Sequence, residues 1–199
     1  MSNAVGTIVA TCGYNGGWTS YGQVQVYAGY SNSTKYAACI NVLTPAFSGK
    51  SKSIVFTLRG NTFRPSGGDP VLRWALCSSD ANKQSYVNPG AVTSDQYQIA
   101  TGTITFTDEN KDTGLTIETD SLKGETNYYL MLWGLQTSTV GRITLDTPSN
   151  LSASVEYSSA SYAIGDGTSF VMHDLYIANG TSYDQYVAYV GDGTNWIQL

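Results

Sequence analysis

Concentrated charge is what this chain most clearly lacks. Only 13% of its 199 residues are charged, the formal net charge is −5, and no cluster of Lys or Arg occurs anywhere. Nucleic-acid binding requires a basic face that displaces phosphate counterions, so we expect no nucleic-acid partner. No apolar stretch approaches the roughly 18 residues of a membrane span, and the amino terminus lacks the basic and apolar segments of a signal peptide. We therefore expect no membrane insertion.

Cysteine and histidine are also scarce. The three cysteines, Cys12, Cys39 and Cys77, form no CxxC pair, and His173 is the single histidine. We therefore expect no metal site and no cofactor. This count allows one disulfide plus one thiol. Cys39 and Cys77, however, fall in apolar stretches typical of buried strands, where cysteine acts as a small hydrophobic residue, so we predict reduced thiols of the kind found after assembly in a cytoplasm.

A recognisable catalytic set is missing as well. No Gly-x-Ser-x-Gly elbow accompanies the lone histidine, which a Ser-His-Asp triad would need. The acidic loop 108–112 lacks the ligand spacing of an EF-hand calcium loop. Paired glycosidase carboxylates can lie far apart in sequence, but Glu109, Glu118, Glu125 and Glu156 each fall in or beside a turn or at a strand end. We predict no enzymatic activity and no catalytic residues.

Strand-forming and turn-forming residues, by contrast, are abundant. The chain contains 21 Gly and 15 Tyr, and this mixture with Ser and Thr suits strands and tight turns better than helices. No segment of ten residues has a helical period, and turn clusters such as 13–17, 64–70 and 108–112 separate the apolar segments. The pattern predicts an all-β protein, an antiparallel β-sandwich of jelly-roll type. The predicted strands span residues 7–11, 23–27, 35–43, 53–59, 71–77, 98–106, 115–118, 127–133, 142–145 and 153–157.

The last 37 residues contain a motif that occurs three times at a spacing of 13 residues. Each copy has Asp-Gly or Asn-Gly between a β-branched and an aromatic residue, which is a strong signal for a hairpin turn. A single short hairpin is marginally stable in water, so we expect the copies to pack on neighbours, on another domain or on other chains. We therefore predict a β-sandwich domain, residues 1–150, and C-terminal 13-residue β repeats, residues 151–199. The three copies span residues 163–171, 176–184 and 189–197.

The repeated pattern Tyr-(Ile or Val)-x-(Asp or Asn)-Gly-(Thr or Ser)-x-(Trp or Tyr) resembles the carboxy-terminal repeats of structural proteins from phages and prophages of Gram-positive bacteria. Those proteins are tail, baseplate, fibre or head-appendage components. The resemblance implies a place in the virion, assembly in the host cytoplasm, and partners that are other virion proteins and further copies of the chain, which we expect to form a trimer. The first copy departs from the pattern at Ala163 and Phe170.

Aromatic residues are the candidate ligand-binding residues. Rings stack on the apolar faces of pyranoses, while neighbouring polar groups bind the sugar hydroxyls. Trp18 and Tyr21 follow a glycine-rich loop, Tyr30 comes shortly after them, and Tyr183 and Trp196 lie in the repeats. We predict that these five residues bind a host-surface glycan. For the repeat aromatics, a cross-strand packing ladder is the alternative role.

Two functions therefore remain open. The first is a non-enzymatic structural component of a phage or prophage particle that contacts host-surface glycans. The second is a carbohydrate-binding or adhesive β-sandwich module of a bacterial surface or secreted protein, which would act outside the cell. A chain that begins at Met1 and ends naturally at Leu199 favours the first, whereas a disulfide or the binding of an oligosaccharide by a monomer favours the second.

Overall fold

The structure, a computed structural model, is built almost entirely of antiparallel β-strands. Its described part contains no α-helix, and the two short 3₁₀ turns, Lys83–Val87 and Pro148–Asn150, are its only helical elements. None of its helices is long and apolar enough to cross a membrane. The structure describes residues 2–15, 18–20, 23–28, 36–47, 49–63, 69–87, 95–107, 112–134, 141–158, 161–165, 170–178, 183–186, 189–191 and 196–198.

Eleven strands form one continuous hydrogen-bonded system, and five short strands near the carboxyl end form two further sheets. The eleven are β1 (Ser2–Asn15), β2 (Trp18–Ser20), β3 (Val24–Ala28), β4 (Tyr36–Leu43), β5 (Lys50–Phe63), β6 (Val71–Cys77), β7 (Gln98–Thr105), β8 (Asp112–Glu118), β9 (Asn127–Gly134), β10 (Gly141–Leu145) and β11 (Ser152–Ser158). The five are β12 (Ser161–Gly165), β13 (Phe170–Ala178), β14 (Tyr183–Tyr186), β15 (Tyr189–Gly191) and β16 (Trp196–Gln198).

The long strand β1 divides the eleven-stranded system into two layers. The first layer contains β8, β5, β11 and the beginning of β1, and β10 and β3 continue it from the end of β5. The second layer contains the rest of β1, followed by β4, β9, β6 and β7, with β2 on β1. In β1 the change of partner falls between Gly6 and Thr7. A strand that passes from one sheet to another makes the corner of a sandwich.

The main core lies between the two layers. Its largest members include Phe56 and Leu58 from the first layer and Ile40, Leu130 and Leu132 from the second, and all five are fully buried. In β3 the alternation of Gln and Val places Val24 and Val26 in this core. The alternating pattern of the first layer leaves its other face polar, because successive strand residues point to opposite sides.

The second layer is covered on both faces. Residues 37–40 of β4 and 131–134 of β9 are buried without alternation, which is typical of strands packed on both sides. The outer cover is the segment around Lys83–Val87, whose Tyr86 packs on Trp133 in an edge-to-face arrangement with ring centroids 4.9 Å apart. Cys39 and Cys77 lie in this outer cluster with exposures of 4% and 0%. The prediction that both are buried strand residues is confirmed.

All ten predicted strands of the sandwich correspond to observed strands, and the all-β fold is confirmed. The structure extends β1 and β5 well beyond their predicted bounds, because each runs on through polar and small residues to a further partner strand: β1 passes from β11 to β4, and β5 from β11 to β10. The predicted turn at residues 13–17 is wrong for Gly13, Tyr14 and Asn15, which remain in β1 and pair with β4. Its last two residues lie outside the described part, as do residues 64–68 and 108–111 of the other turn clusters.

The strand β11 bears on the predicted division at residue 150. It lies between β1 and β5 in the first layer, where Val155 pairs with Ala4 on one side and with Ile54 on the other. Val155 is fully buried in the main core. The division itself remains a prediction, and this pairing argues for placing it after Ser158.

Candidate functional site

The five predicted ligand-binding residues do not fall in one described element. Trp18 begins β2 and pairs with Tyr14 of the second layer. Tyr183 and Trp196 begin β14 and β16, which belong to the two small sheets. The remaining two, Tyr21 and Tyr30, lie outside the described residues. A shared glycan site for these aromatics therefore stays a prediction.

The three sequence repeats correspond to three hairpins. In each hairpin the closing pair joins the residue just before Asp or Asn to the repeat aromatic, and four residues lie between the two. The closing positions are themselves 13 residues apart, so the described residues that flank each copy of the turn motif are paired in the same way. The three closing pairs are Gly165 with Phe170, Ala178 with Tyr183, and Gly191 with Trp196.

Strand β13 belongs to both of the first two hairpins. Residues 170–174 of β13 pair with β12, and residues 175–178 pair with β14. Within the described tail, no residue of β13 pairs on both sides. Half of the backbone groups along this strand therefore have no partner in the described sheets, and an open strand edge is a template for pairing with another chain.

A polar groove of about 570 Å³ lies on the exposed side of the first layer. It forms at one end of β5, where the register with β11 shifts between Glu156 and Tyr157 and leaves a bulge at Lys52. A bulge at this place spreads the polar side chains around it instead of continuing the regular ladder. The lining residues are Lys50, Ser51, Lys52, Ser53, Thr116, Glu118, Asp120, Glu156 and Ser158.

Two carboxylates of this groove flank a buried serine. Ser53 lies directly opposite Glu118 of β8 and Glu156 of β11. Because neighbouring strands are about 4.8 Å apart, the Cα atoms of the two glutamates are roughly 10 Å apart across Ser53. The Ser53 hydroxyl, which is nearly inaccessible, donates a hydrogen bond to Oε2 of Glu156 at 3.3 Å.

The floor of the groove is fixed by a second serine. The hydroxyl of Ser51 donates to the carbonyl oxygen of Thr119 at 2.8 Å and accepts from the backbone N–H of Leu122 at 3.0 Å. With ammonium, carboxylate and hydroxyl groups together, the groove can both donate and accept hydrogen bonds. This combination suits a polyhydroxylated ligand. The sequence named both glutamates separately, but their meeting depends on the strand order and could not be read from local patterns.

A buried polar network holds the outer cover of the second layer. The Tyr86 hydroxyl donates to Oδ2 of Asp95 at 3.2 Å, accepts from Nε2 of Gln98 at 2.9 Å, and lies 3.3 Å from Sγ of Cys77. Burial is the main cause that raises the pKa of Tyr86 well above its usual value. Burial likewise raises the pKa of the Cys77 thiol to about 11. A hydrogen-bonded cluster of this kind, in which the Tyr86 hydroxyl and the Cys77 thiol keep their protons, fastens the segment and offers no reactive thiolate.

A smaller recess of about 150 Å³ contains Asp146. Its carboxylate accepts from the backbone N–H of Thr147 at 2.8 Å and from Nδ2 of Asn150 at 2.9 Å. These two bonds, the backbone one first, hold the pKa of Asp146 below its usual 3.8. The carboxylate thus ties down the Pro148–Asn150 turn before β11. Across the described chain, no group of three or more His, Cys, Asp and Glu side chains is placed to hold a metal ion.

No protein-family model matches this chain, and no curated protein is similar enough to count as a relative.

Proposed function

We propose that the chain is a non-enzymatic structural component of a phage or prophage particle, part of the tail, baseplate, fibre or a capsid appendage. In this proposal the sandwich is a self-contained body, and the repeat tail joins copies of the chain to one another and to other virion proteins. The observation that carries the proposal is the geometry of the tail, which forms three short hairpins, and the first two of these share β13, a strand that is only partly paired.

The physical argument concerns the unpaired half of β13. Backbone N–H and C=O groups that are removed from water need hydrogen-bond partners. The described tail sheets supply partners to β13 on one side of each half only. A second and a third copy of the same tail, brought alongside, would supply the rest with the same residues. Repeats of this kind need neighbours for stability, and other copies of the chain are always present at equal concentration.

The first experiment measures the native mass in solution by light scattering, for the full chain and for a chain that ends at Ser158. The cut must follow β11, because a cut at residue 150 would remove a central strand of the first layer. We expect the full chain to be a trimer and the shortened chain a folded monomer. A full chain that is monomeric, or a shortened chain that is still trimeric, would contradict an assembly role for the tail.

A matched variant tests whether the hairpins, and not only the length of the tail, are needed for assembly. Replacing the closing aromatics Phe170, Tyr183 and Trp196 together by Ser keeps the chain length and the turn residues. We expect this variant to be monomeric with an unchanged sandwich spectrum in circular dichroism. Replacing Gln185 and Gln198 by Ser, at strand positions that pair with Tyr176 and Tyr189 instead of closing a hairpin, is the control, and it should leave the trimer intact.

A carbohydrate-binding or adhesive module remains the second candidate, and the polar groove is the observation that favours it. Its test is a glycan-binding screen of the wild-type protein followed by substitution of the two flanking glutamates, Glu118→Gln and Glu156→Gln. Loss of binding in these variants would locate the site in the groove, whereas loss in Trp18→Ala would locate it at the predicted aromatic site. Asp112→Asn, at the other end of β8, is the matched control. Absence of binding by any glycan would remove this candidate.

A further inference from the structure

Two of the three cysteines lie side by side on adjacent strands of the second layer. Cys12 of β1 and Cys39 of β4 form one register pair of the antiparallel ladder. Residues directly opposite each other in such a ladder have Cα atoms about 4.5–5.5 Å apart, within the range of about 4.4–6.8 Å that disulfides require. Both cysteines carry reduced thiols. Both also pack in the outer cluster, so their side chains are on the same side of the sheet.

The electrostatics of the pair agree with this geometry. Burial raises the pKa of the Cys39 thiol to about 12, and the adjacent Cys12 thiol is the next largest cause. Cys12 is only partly buried, whereas Cys39 is 4% exposed. Solvent reagents therefore reach Cys12 first. Cys77 is in a different position, because its sulfur contacts the Tyr86 hydroxyl and its register partners are Tyr129 and Gln98.

We propose that Cys12 and Cys39 form a disulfide when the protein meets a small-molecule disulfide such as oxidised glutathione. The Cys12 thiolate attacks one sulfur of the reagent, which forms a mixed disulfide and releases one glutathione thiolate. The Cys39 thiol then loses its proton to solvent, attacks the Cys12 sulfur and releases the second glutathione. Two protein thiols are oxidised, one molecule of reagent is reduced to two thiols, and the two protein protons end on the released thiolates.

The cross-link would close the segment 13–38 at its base. That segment contains β2 and β3 and three of the predicted ligand-binding residues, Trp18, Tyr21 and Tyr30. A covalent bond between β1 and β4 would fix both of its ends on the second layer. The protein would thus be stabilised at this place after it leaves a reducing compartment.

The test uses the full chain, purified with reductant and then equilibrated with oxidised glutathione. After unfolding and alkylation, mass spectrometry counts the remaining thiols. We expect the wild type to lose the mass of two hydrogen atoms and to keep one alkylatable thiol, which peptide mapping assigns to Cys77. Cys77→Ser should oxidise fully and keep none. The outcome that would overturn the proposal is a wild type with three alkylatable thiols, a stable glutathione adduct on Cys12, or a bond that involves Cys77.

Two further variants guard against a misfolded control. Cys12→Ser changes a partly exposed position and should fold normally, which circular dichroism will verify, and it should form no internal disulfide. Cys39→Ala removes the buried partner and should likewise form no internal disulfide. Oxidation should raise the melting temperature of the wild type by about 5–10 °C and leave that of Cys12→Ser unchanged. Equal shifts in both proteins would show that the cross-link is not the cause and would contradict the proposal.

Discussion

Residues 2–158 and residues 161–198 are both antiparallel, yet their strands are paired to very different extents. In the sandwich, residues 37–43 of β4 pair with β1 on one side and with β9 on the other. In the tail, the two halves of β13 each pair on one side only. Inner sandwich strands such as β4 are thus paired on both sides within the chain, whereas no described residue of β13 is paired on both sides.

This difference shows where each region obtains its stability. The sandwich buries a core from both layers and a second cluster under the outer cover. The tail strands have three to nine residues and are joined in sheets of two and three strands, and hairpins of that size are marginal by themselves. A self-sufficient body joined to a dependent tail is the organisation that the proposed assembly role requires.

The largest expected effect tests whether the sandwich is self-sufficient. Phe56 is fully buried between the layers, so Phe56→Ala should lower the free energy of unfolding by about 3–5 kcal/mol through lost burial and a cavity. Urea denaturation of the chain that ends at Ser158 measures this directly. Removing the tail should itself change the stability of the sandwich by less than about 0.5 kcal/mol, as should Val5→Ala at a site that is 76% exposed. If deleting the tail lowered the free energy of unfolding as much as Phe56→Ala does, the sandwich would not be self-sufficient.

A pair of glycines tests how closely the sandwich is packed. A Cβ atom at Gly124 would lie 2.8 Å from the backbone N and 2.9 Å from the backbone O of Phe47. Because both are backbone atoms, a side-chain rotation cannot relieve the contact. Gly124→Ala should therefore destabilise the protein by about 1–3 kcal/mol.

Gly114 is the matched control for Gly124. A Cβ atom there meets nothing within 4 Å, and Gly114→Ala should be neutral or should stabilise by about 0.4–1 kcal/mol because it restricts the unfolded chain. Thermal denaturation of both variants measures the contrast. Equal effects at the two glycines would mean that close packing around Gly124 does not limit stability.

The third effect is a loss of stability at alkaline pH that belongs to the sandwich alone, since the tail contains no cysteine. Burial raises the pKa of the Cys39 thiol from its usual 9.0 to about 12. Below pH 9 both folded and unfolded chains keep this proton. Above it only the unfolded chain releases the proton, so stability should fall by about 1.4 kcal/mol per pH unit until the folded thiol also titrates.

Urea denaturation over a pH range of about 8–10.5 measures this slope. Cys39→Ala should have a shallower decline than the wild type, whatever its stability at neutral pH. The full chain and the chain that ends at Ser158 should lose stability in parallel. An unchanged slope in Cys39→Ala would contradict a buried, neutral thiol.

The smallest expected effect concerns a surface ion pair on the outer cover of the second layer. The Lys83 ammonium contacts the Asp80 carboxylate, and both side chains are about one-third exposed. Lys83→Ala should cost only about 0.2–1 kcal/mol, and less in high salt. Lys123→Ala, at an exposed lysine outside the pair, is the control for the loss of one positive charge. A loss above that range would mean that the cover depends on charge more than on the buried Tyr86 network.

The two regions also differ in how well they could be predicted. The alternation of Gln and Val in β3 is a local pattern that predicts a strand with Val24 and Val26 on one face, and both residues lie in the core. The Asp-Gly and Asn-Gly pairs of the tail are an equally local signal, and the strands on either side of each pair are antiparallel partners. The prediction of a turn was wrong for residues 13–15, because their pairing with β4 overrides the local preference of Gly and Asn.

The candidate groove could not be predicted in the same way. Glu118, Ser53 and Glu156 are separated by many residues along the chain, and a three-strand register brings them into one row. The bulge at Lys52 that widens the row has no distinctive sequence signal. The predicted aromatic site, in contrast, was inferred from residue type, and its members are distributed over β2, β14 and β16 and the undescribed segments.

The sequence by itself determined the class of fold, the positions of the strands and the 13-residue period of the tail, because alternation and turn chemistry act over a few neighbouring residues. Only the tertiary structure decided that β11 lies between β1 and β5, that Cys12 faces Cys39, and that two glutamates flank Ser53. Those pairings join residues far apart in the chain. Their register is chosen by the joint burial of both layers, a property of the whole core rather than of any one segment.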